Sequence, residues 1–266
     1  MAAGDLTTLD NVKAWLNSGS AQAQPGADDK LLARLITAAS GWVPTYLSRS
    51  IVPQQYSDTY NGSGTTRQYL RNRPVVTVTS LLVDGVAIQP STPPPLGNGY
   101  LFDDSMVYLV WGNFPMFAQN VQVTYIAGFQ TSQNVSAPGV LFSVAGLAQT
   151  WNADRGVSYT GGLPLAQVAS GPAVGQYSVS FQSNGLAAYN FNAADAGAAL
   201  TITFGYTPAD LEQSVIELVG ETYKRRTRIG ISSSHLAQQS TSFSVKVLNE
   251  AALDNLNKYK NVATVL

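Results

Sequence analysis

The chain has 266 residues, 45% of them hydrophobic, so it can bury a core, which excludes a disordered protein. Only 12% of the residues are charged and the formal net charge is −1, which argues against a nucleic-acid binder that depends on many phosphate contacts and favours β structure with extensive self-association. Cysteine is absent, so disulfides, thiolate nucleophiles and cysteine metal sites are excluded.

The sequence lacks the pattern of a secretory or membrane-spanning segment. Residues 1–11 are acidic and polar where a signal peptide needs a basic start and an apolar stretch. The longest mostly apolar run, residues 135–148, is interrupted by Pro138 and is shorter than the roughly 20 residues that span a bilayer. We therefore expect a protein without a membrane partner.

The first third of the chain begins with two helical patterns. Thr8 can cap a short helix with apolar residues at positions 9, 12 and 16, and Asp28 can cap a longer one. Pro44 falls late in the longer helix, where its missing N–H and its ring favour a bend or a helix end within residues 41–46. The longer pattern has apolar residues at helical spacing, at Leu31, Leu32, Leu35, Ile36, Ala39, Val43 and Leu47.

From residue 55 the apolar period changes to two, which is typical of strands. Residues 56–60, the glycine-rich turn at 61–64 and residues 67–70 predict a β-hairpin. A turn at Asp84 and Gly85 ends the next predicted strand. The pattern predicts a small antiparallel sheet between residues 55 and 128, with further strands at 74–83, 100–102, 107–111 and 121–126.

Residues 129–206 form a charge-poor island with one basic and two acidic residues. Glycine and alanine are frequent in it, and a turn at residues 195–197 precedes its last strand. This composition predicts a second, inserted β module, with strands at 139–144, 176–182, 188–191 and 200–206.

The last third returns to a helical pattern that starts near Pro208. Asp210 and Glu212 lie where the helix dipole favours acids, and basic residues gather at the other end. These basic side chains either complement the dipole as a solvated group or contact an acidic partner or DNA. They are Lys224, Arg225, Arg226 and Arg228.

The final segment, from about residue 232, is predicted to bind a partner. A Ser/Gln-rich connector with His235 leads to an alternating stretch at 242–247 and an amphipathic stretch at 251–259. We expect this tail to have little of its own chain to pack against, so that its apolar residues form an interface with a partner. These residues are Phe243, Val245, Val247, Leu248, Leu253, Leu256 and Tyr259.

The residues offer few combinations for catalysis. His235 is the sole histidine, and the serines beside it have no oxyanion-hole motif nearby. The adjacent acids Asp103 and Asp104 fit a turn, where aspartate bonds the backbone, and residues 61–64 lack the lysine and the following helix of a phosphate loop. We expect no catalytic residues, no metal site and no cofactor.

Several segments together resemble the tailed-phage head-tail connector family, also called adaptor or head completion proteins. The specificity lies in their order, because each segment alone is a common helix or hairpin pattern. Pro44 and the island at 129–206 depart from the family pattern, and the end of the island is similar to a small β module of other phage virion proteins. The resembling segments are residues 5–16, 28–40, 46–49, 56–60, 71–75, 83–85, 208–218 and 225–230.

The resemblance implies an α+β fold: a helical bundle with an antiparallel β subdomain and an inserted small β-sandwich-like module. We expect three parts. Residues 1–128 contain the N-terminal helices and the β subdomain, residues 129–206 form the inserted module, and residues 207–266 contain a helix and the partner-binding tail.

The resemblance also implies a structural protein of the virion neck, at the portal vertex, assembled in the host cytoplasm. Members of this family form a ring that binds the portal protein, extends the DNA channel and docks a tail, stopper or nozzle protein. By this resemblance we expect the ring to be a dodecamer. Genomic DNA would pass through without sequence-specific binding. An alternative is a glycan-binding or glycan-cleaving virion protein that uses the aromatic residues of the island, and a third is a DNA-binding gate at residues 224–228.

Overall fold

A computed structural model gives the fold of the chain. It describes residues 3–17, 28–92, 97–136, 141–182, 186–226, 233–236, 239–242 and 250–260. Helices and antiparallel sheets are both present, which confirms the predicted α+β class. The chain divides into two compact units: the first contains Met1–Ser48 and Thr131–Lys260, and the second contains Arg49–Gln130.

Helices of the first unit bury one apolar face each. Leu32, Ile36 and Val43 of the second helix and Val215 of the third are fully covered, or nearly so. The described helices are α1 (Leu9–Asn17), α2 (Asp29–Leu47), α3 (Ala209–Arg225) and α4 (Glu250–Lys258).

The helix ends confirm one predicted cap and correct another. Thr8 Oγ1 accepts the N–H of Asn11 at 3.1 Å, as a capping residue does. Asp28 occupies the predicted N-cap position, but its side chain makes no capping hydrogen bond, so the predicted capping interaction is wrong. A helix end at Pro44 is also wrong, because α2 continues to Leu47 and its buried apolar face outweighs one lost backbone hydrogen bond; a bend at Pro44 stays a prediction.

The second unit is built from two antiparallel sheets, in the orders β1-β7-β3-β4 and β2-β6-β5. Its core is a single apolar cluster that includes Phe114, Val121, Val123 and Tyr125. The strands are β1 (Gln54–Tyr60), β2 (Arg67–Tyr69), β3 (Val75–Val83), β4 (Val86–Ile88), β5 (Tyr100–Phe102), β6 (Met106–Leu109) and β7 (Val121–Ala127).

A predicted turn of this unit is correct and a predicted hairpin is wrong. Asp84 and Gly85 both have positive φ, 51° and 78°, and join β3 to β4 in a tight turn. The hairpin predicted over residues 56–70 does not form, because β1 pairs with β7 while β2 pairs with β6 in the other sheet. Gly62, in the turn between them, has no room for a Cβ beside the Pro115 carbonyl.

The first unit also contains two facing sheets, in the orders β10-β14-β8 and β11-β12-β13-β9. Side chains of both sheets enter one core, among them Val157, Ile202, Tyr189 and Phe191. This arrangement fits the predicted sandwich-like module. The strands are β8 (Gln130–Ser136), β9 (Leu141–Ser143), β10 (Thr150–Tyr159), β11 (Ala166–Gln167), β12 (Gln176–Phe181), β13 (Ala187–Phe191) and β14 (Ala199–Thr207).

Two further short strands, β15 (Ser233–Leu236) and β16 (Gln239–Ser242), pair antiparallel between α3 and α4. They include His235, which the sequence placed in a polar connector.

Candidate interaction surfaces

The basic end of α3 is held by an acidic residue of the same chain. The Arg226 guanidinium donates to both carboxylate oxygens of Asp28, at 2.8 and 3.3 Å, and lies 3.9 Å from the ring centroid of Tyr223. The Tyr223 hydroxyl donates to Asp28 at 2.6 Å. The cluster joins the start of α2 to the end of α3, which explains why Asp28 does not cap its own helix.

The predicted basic site is therefore not a set of four free charges. Arg226 is paired, and Lys224 and Arg225 are half-buried with interactions of their own. Arg228 lies outside the described residues. A contact of these residues with the channel or with an acidic partner stays a prediction.

The last helix, α4, packs on the chain's own helices. Leu256 and Ala252 are buried and Leu253 is half-buried. The Tyr259 hydroxyl donates to Asp210 Oδ1 at 2.6 Å, and the Tyr46 hydroxyl donates to Asn257 at 2.9 Å. The expectation that the tail has little of its own chain to pack against is therefore wrong for residues 250–260.

Four other predicted interface residues, Phe243, Val245, Val247 and Leu248, lie outside the described residues. The interface role of the apolar tail residues, including Leu253, Leu256 and Tyr259, stays a prediction. Because Leu256 is fully covered within the chain, it can act in such an interface by holding α4 in place.

Helix α2 has a second apolar face, and Leu35 on this face belongs to the apolar stripe that the sequence predicts to be buried. Leu35, Ala38 and Trp42 lie on this second face, and Trp42 remains 42% exposed while stacking on Tyr46 at 5.0 Å. We call the groove of about 290 Å³ between this face and α3 the helical groove. It is lined by Leu35, Ala38, Ala39, Trp42, Leu218, Val219 and Thr222.

A loop of the second unit, residues 110–119 between β6 and β7, exposes three large apolar side chains. Trp111, Met116 and Phe117 are 69%, 78% and 67% exposed, whereas Phe114 between them is fully buried. We call this segment the apolar loop. The sequence pattern predicts a strand over 107–111 that would include Trp111, whereas the strand ends at Leu109. Gly112 and Pro115 are the signal in the sequence that a loop begins here.

Most aromatic residues of the two facing sheets of the first unit belong to their common core. Tyr177 and Tyr189 both donate to Asp154, at 2.7 and 3.0 Å, and Trp151 Nε1 donates to the Tyr189 hydroxyl at 3.0 Å. Burial, reinforced by the Asp154 carboxylate, raises the pKa of Tyr177 and of Tyr189. These buried rings cannot stack on a sugar, which removes the main support for the glycan alternative.

In the part of the chain that the structure describes, no group of three or more His, Cys, Asp or Glu residues is placed to hold a metal ion. Within the same residues, no helix is long and apolar enough to cross a membrane.

Comparison with known proteins defines the family. The sequence model of the family "Head completion protein" matches residues 5–141, just over half of the chain. The chain therefore belongs to the head completion protein family. The match spans α1, α2 and the whole second unit, and it ends before α3, so the resemblance of residues 208–230 stays a prediction.

Two solved structures are similar over nearly the whole chain. One is the "Neck of empty GTA particle computed with C6 symmetry", at 16% identity and a TM-score of 0.41, and the match covers 98% of this chain and 93% of that one. The other is the "Virion of native gene transfer agent (GTA) particle", at 15% identity, a TM-score of 0.42 and the same coverage. Similarity at this level does not define a shared fold. No curated protein matches the chain.

Proposed function

We propose that the chain is a head-tail connector subunit, a structural protein that forms a homo-oligomeric ring under the portal. The ring extends the channel through which genomic DNA passes and docks a tail, stopper or nozzle protein. The observation that carries the proposal is the family match over residues 5–141, which includes both N-terminal helices and the complete second unit.

The surfaces of the chain support a role in assembly. A subunit of a ring must bury apolar surface against its neighbours, and the chain exposes uncharged apolar residues at the helical groove and the apolar loop. The low content of charged residues, 12%, suits a protein with much of its surface in interfaces. A dodecamer is the ring size that we assign.

Two sets of residues are assigned roles within this ring. The apolar tail residues contact the portal or a neighbouring subunit, with α4 anchoring the segment to the helices of its own chain. The basic end of α3 faces the channel or an acidic partner, without reading DNA sequence, because Arg226 is already paired with Asp28. Paired charges of this kind contribute little phosphate affinity.

Assembly with purified portal protein tests the proposal. Light scattering and negative-stain microscopy should show a ring capping the portal, with the mass of the complex giving the subunit count. A chain that stays monomeric and does not bind the portal would overturn the connector role.

The tail assignment is tested by two neighbouring substitutions. Val245→Asp places a charge in the apolar alternation and should weaken portal binding at least tenfold, whereas Ser244→Asp, on the polar alternation, should bind as the unaltered chain does. Both variants keep α4 and so keep its packing. Equal portal binding by the two variants would remove the tail from the interface.

A further inference from the structure

A ring built from identical subunits needs two different surfaces on each subunit, because a head-to-tail contact joins unlike patches. We infer that the apolar loop of one subunit docks into the helical groove of the next copy in the ring. The inference rests on the proposed ring and names the two surfaces that would build it.

The helical groove has the character of a protein interface. A helix that is apolar on two faces is normally covered on both, yet Ala38 and Trp42 of α2 are exposed. None of the described residues that line the groove is charged, and the two alanines leave a space of about 290 Å³ beside the tryptophan. A half-exposed tryptophan beside such a space is a common anchor point at interfaces.

The apolar loop is shaped before it binds. The Gly62 N–H donates to the Phe117 carbonyl at 3.1 Å, and the Gly64 N–H donates to the Phe114 carbonyl at 2.8 Å. Asn120 Nδ2 donates to the Pro115 carbonyl at 3.0 Å, and the Phe114 ring anchors the segment in the core of the second unit. Little conformational entropy is lost when a loop held in this way docks.

The two surfaces match in chemistry and in size. Residues 110–119 contain no charged side chain, as is true of the described lining of the groove, so neither surface would bury an unpaired charge. The groove has room for one bulky side chain, and Met116 and Phe117 project from the loop. A second copy is the occupant that uses both surfaces at once, whereas a portal contact would explain one of them and leave the other exposed.

Cysteine cross-linking in the assembled particle tests this contact, since the chain has no cysteine of its own. The variants Ala38→Cys and Phe117→Cys, mixed and assembled on the portal, should give a disulfide-linked pair containing one copy of each. The control replaces Phe117→Cys by Val86→Cys, which is 62% exposed in the same unit and should not cross-link to Ala38→Cys.

Aspartate variants give a second, independent measurement. Phe117→Asp and Ala38→Asp alter exposed positions, so each should fold normally and lose ring formation, with self-association weakened at least tenfold. Mixed together, they retain one intact loop and one intact groove and should form a pair of unlike subunits that does not grow further. Val86→Asp should form rings as the unaltered chain does.

The outcomes separate this inference from the proposed function. Rings that assemble on the portal without the cross-link, or that cross-link equally with Val86→Cys, overturn the docking contact and leave the connector role standing. Absence of both ring formation and portal binding in the unaltered chain overturns both. A groove covered by its own chain would appear as a monomer without cross-links, which also overturns the contact.

Discussion

The turn between β5 and β6 stabilises the ionised form of the Asp103 side chain by hydrogen bonds. Its Oδ1 atom accepts the N–H groups of Ser105 and Met106 at 2.8 and 2.9 Å, and the Ser105 hydroxyl at 3.0 Å. Burial opposes ionisation, but these hydrogen bonds outweigh it and hold the pKa of Asp103 below its ordinary value. The ionised side chain therefore stabilises the fold above the unfolded-state pKa, and this contribution is lost as the pH falls through the lower, folded-state pKa.

Replacing this side chain should produce a pH-dependent loss of stability. Asp103→Ala should lower the free energy of unfolding by about 1 kcal/mol near pH 7, the usual net value of a lost hydrogen-bonding group. The difference from the unaltered chain should shrink as the pH falls below about 4, where the ordinary carboxyl group protonates. Urea unfolding across this range measures it, with the exposed neighbour Asp104→Ala as control. A loss that does not change with pH would contradict the assignment.

The two aspartate predictions differ in outcome for a physical reason. The turn at Asp103 was predicted correctly because its partners lie two and three residues away, within the reach of local preference. The cap at Asp28 was predicted wrongly because Tyr223 and Arg226, 195 and 198 residues away, bind the same carboxylate. A local sequence pattern includes the donors that lie a few residues from an aspartate, but it does not include donors that the fold brings from a distant part of the chain.

Glu212 also has a local role that the sequence predicts and distant contacts that only the structure shows, and here the contacts join whole elements. The sequence places it favourably at the start of α3 for the helix dipole, and the structure gives it a larger role. Its Oε1 atom accepts from Thr7 Oγ1 at 3.0 Å and Asn11 Nδ2 at 2.8 Å, and its Oε2 atom accepts from Thr150 Oγ1 at 2.6 Å. One buried carboxylate thus connects α3 to α1 and β10.

Removing this connection should be costly. Glu212→Ala leaves the buried Thr7 hydroxyl without its acceptor and should lower the free energy of unfolding by about 2 to 3 kcal/mol, the range for bonds to a charged group. Glu221→Ala, near the other end of the same helix, should change it by less than about 0.5 kcal/mol. Thermal unfolding followed by circular dichroism compares the two, and a shift for Glu212→Ala as small as that for Glu221→Ala would contradict the connecting role of Glu212.

Strands were predictable where their pairing leaves a regular pattern. β7 alternates buried and partly exposed residues and was found nearly to its ends, whereas the ten-residue strand β10 was missed. Two irregularities in its pairing with β14, between Trp151 and Ala153 and between Asp154 and Gly156, break the alternation. The prediction of a hairpin at 56–70 was wrong for another reason. Both strands form, but each pairs with a strand that is distant in sequence, and a local pattern does not contain that information.

At the scale of the whole molecule, the amino-acid composition predicts that subunits associate, but it does not predict which surfaces they use. A low charge content indicates that surface is covered by partners, and it does not distinguish one face from another. The structure adds that distinction, because apolar residues of α2 and of the apolar loop are exposed while other apolar residues of the same elements are buried. We therefore expect these exposed residues to stabilise the folded chain only when a neighbouring subunit covers them.

This dependence gives a prediction about thermal unfolding of the unaltered chain. Subunit binding stabilises the folded state by mass action, so the unfolding midpoint should rise with protein concentration wherever rings form. Phe117→Asp should unfold at a midpoint that does not vary with concentration and equals that of the unaltered chain at high dilution, because the exposed ring contributes little to the monomer. Val86→Asp should follow the unaltered chain. Scanning calorimetry over a hundredfold dilution, about the range that resolves such a shift, measures all three. A constant midpoint for the unaltered chain would mean that subunits do not stabilise one another in solution, and ring formation would then require the portal as a template.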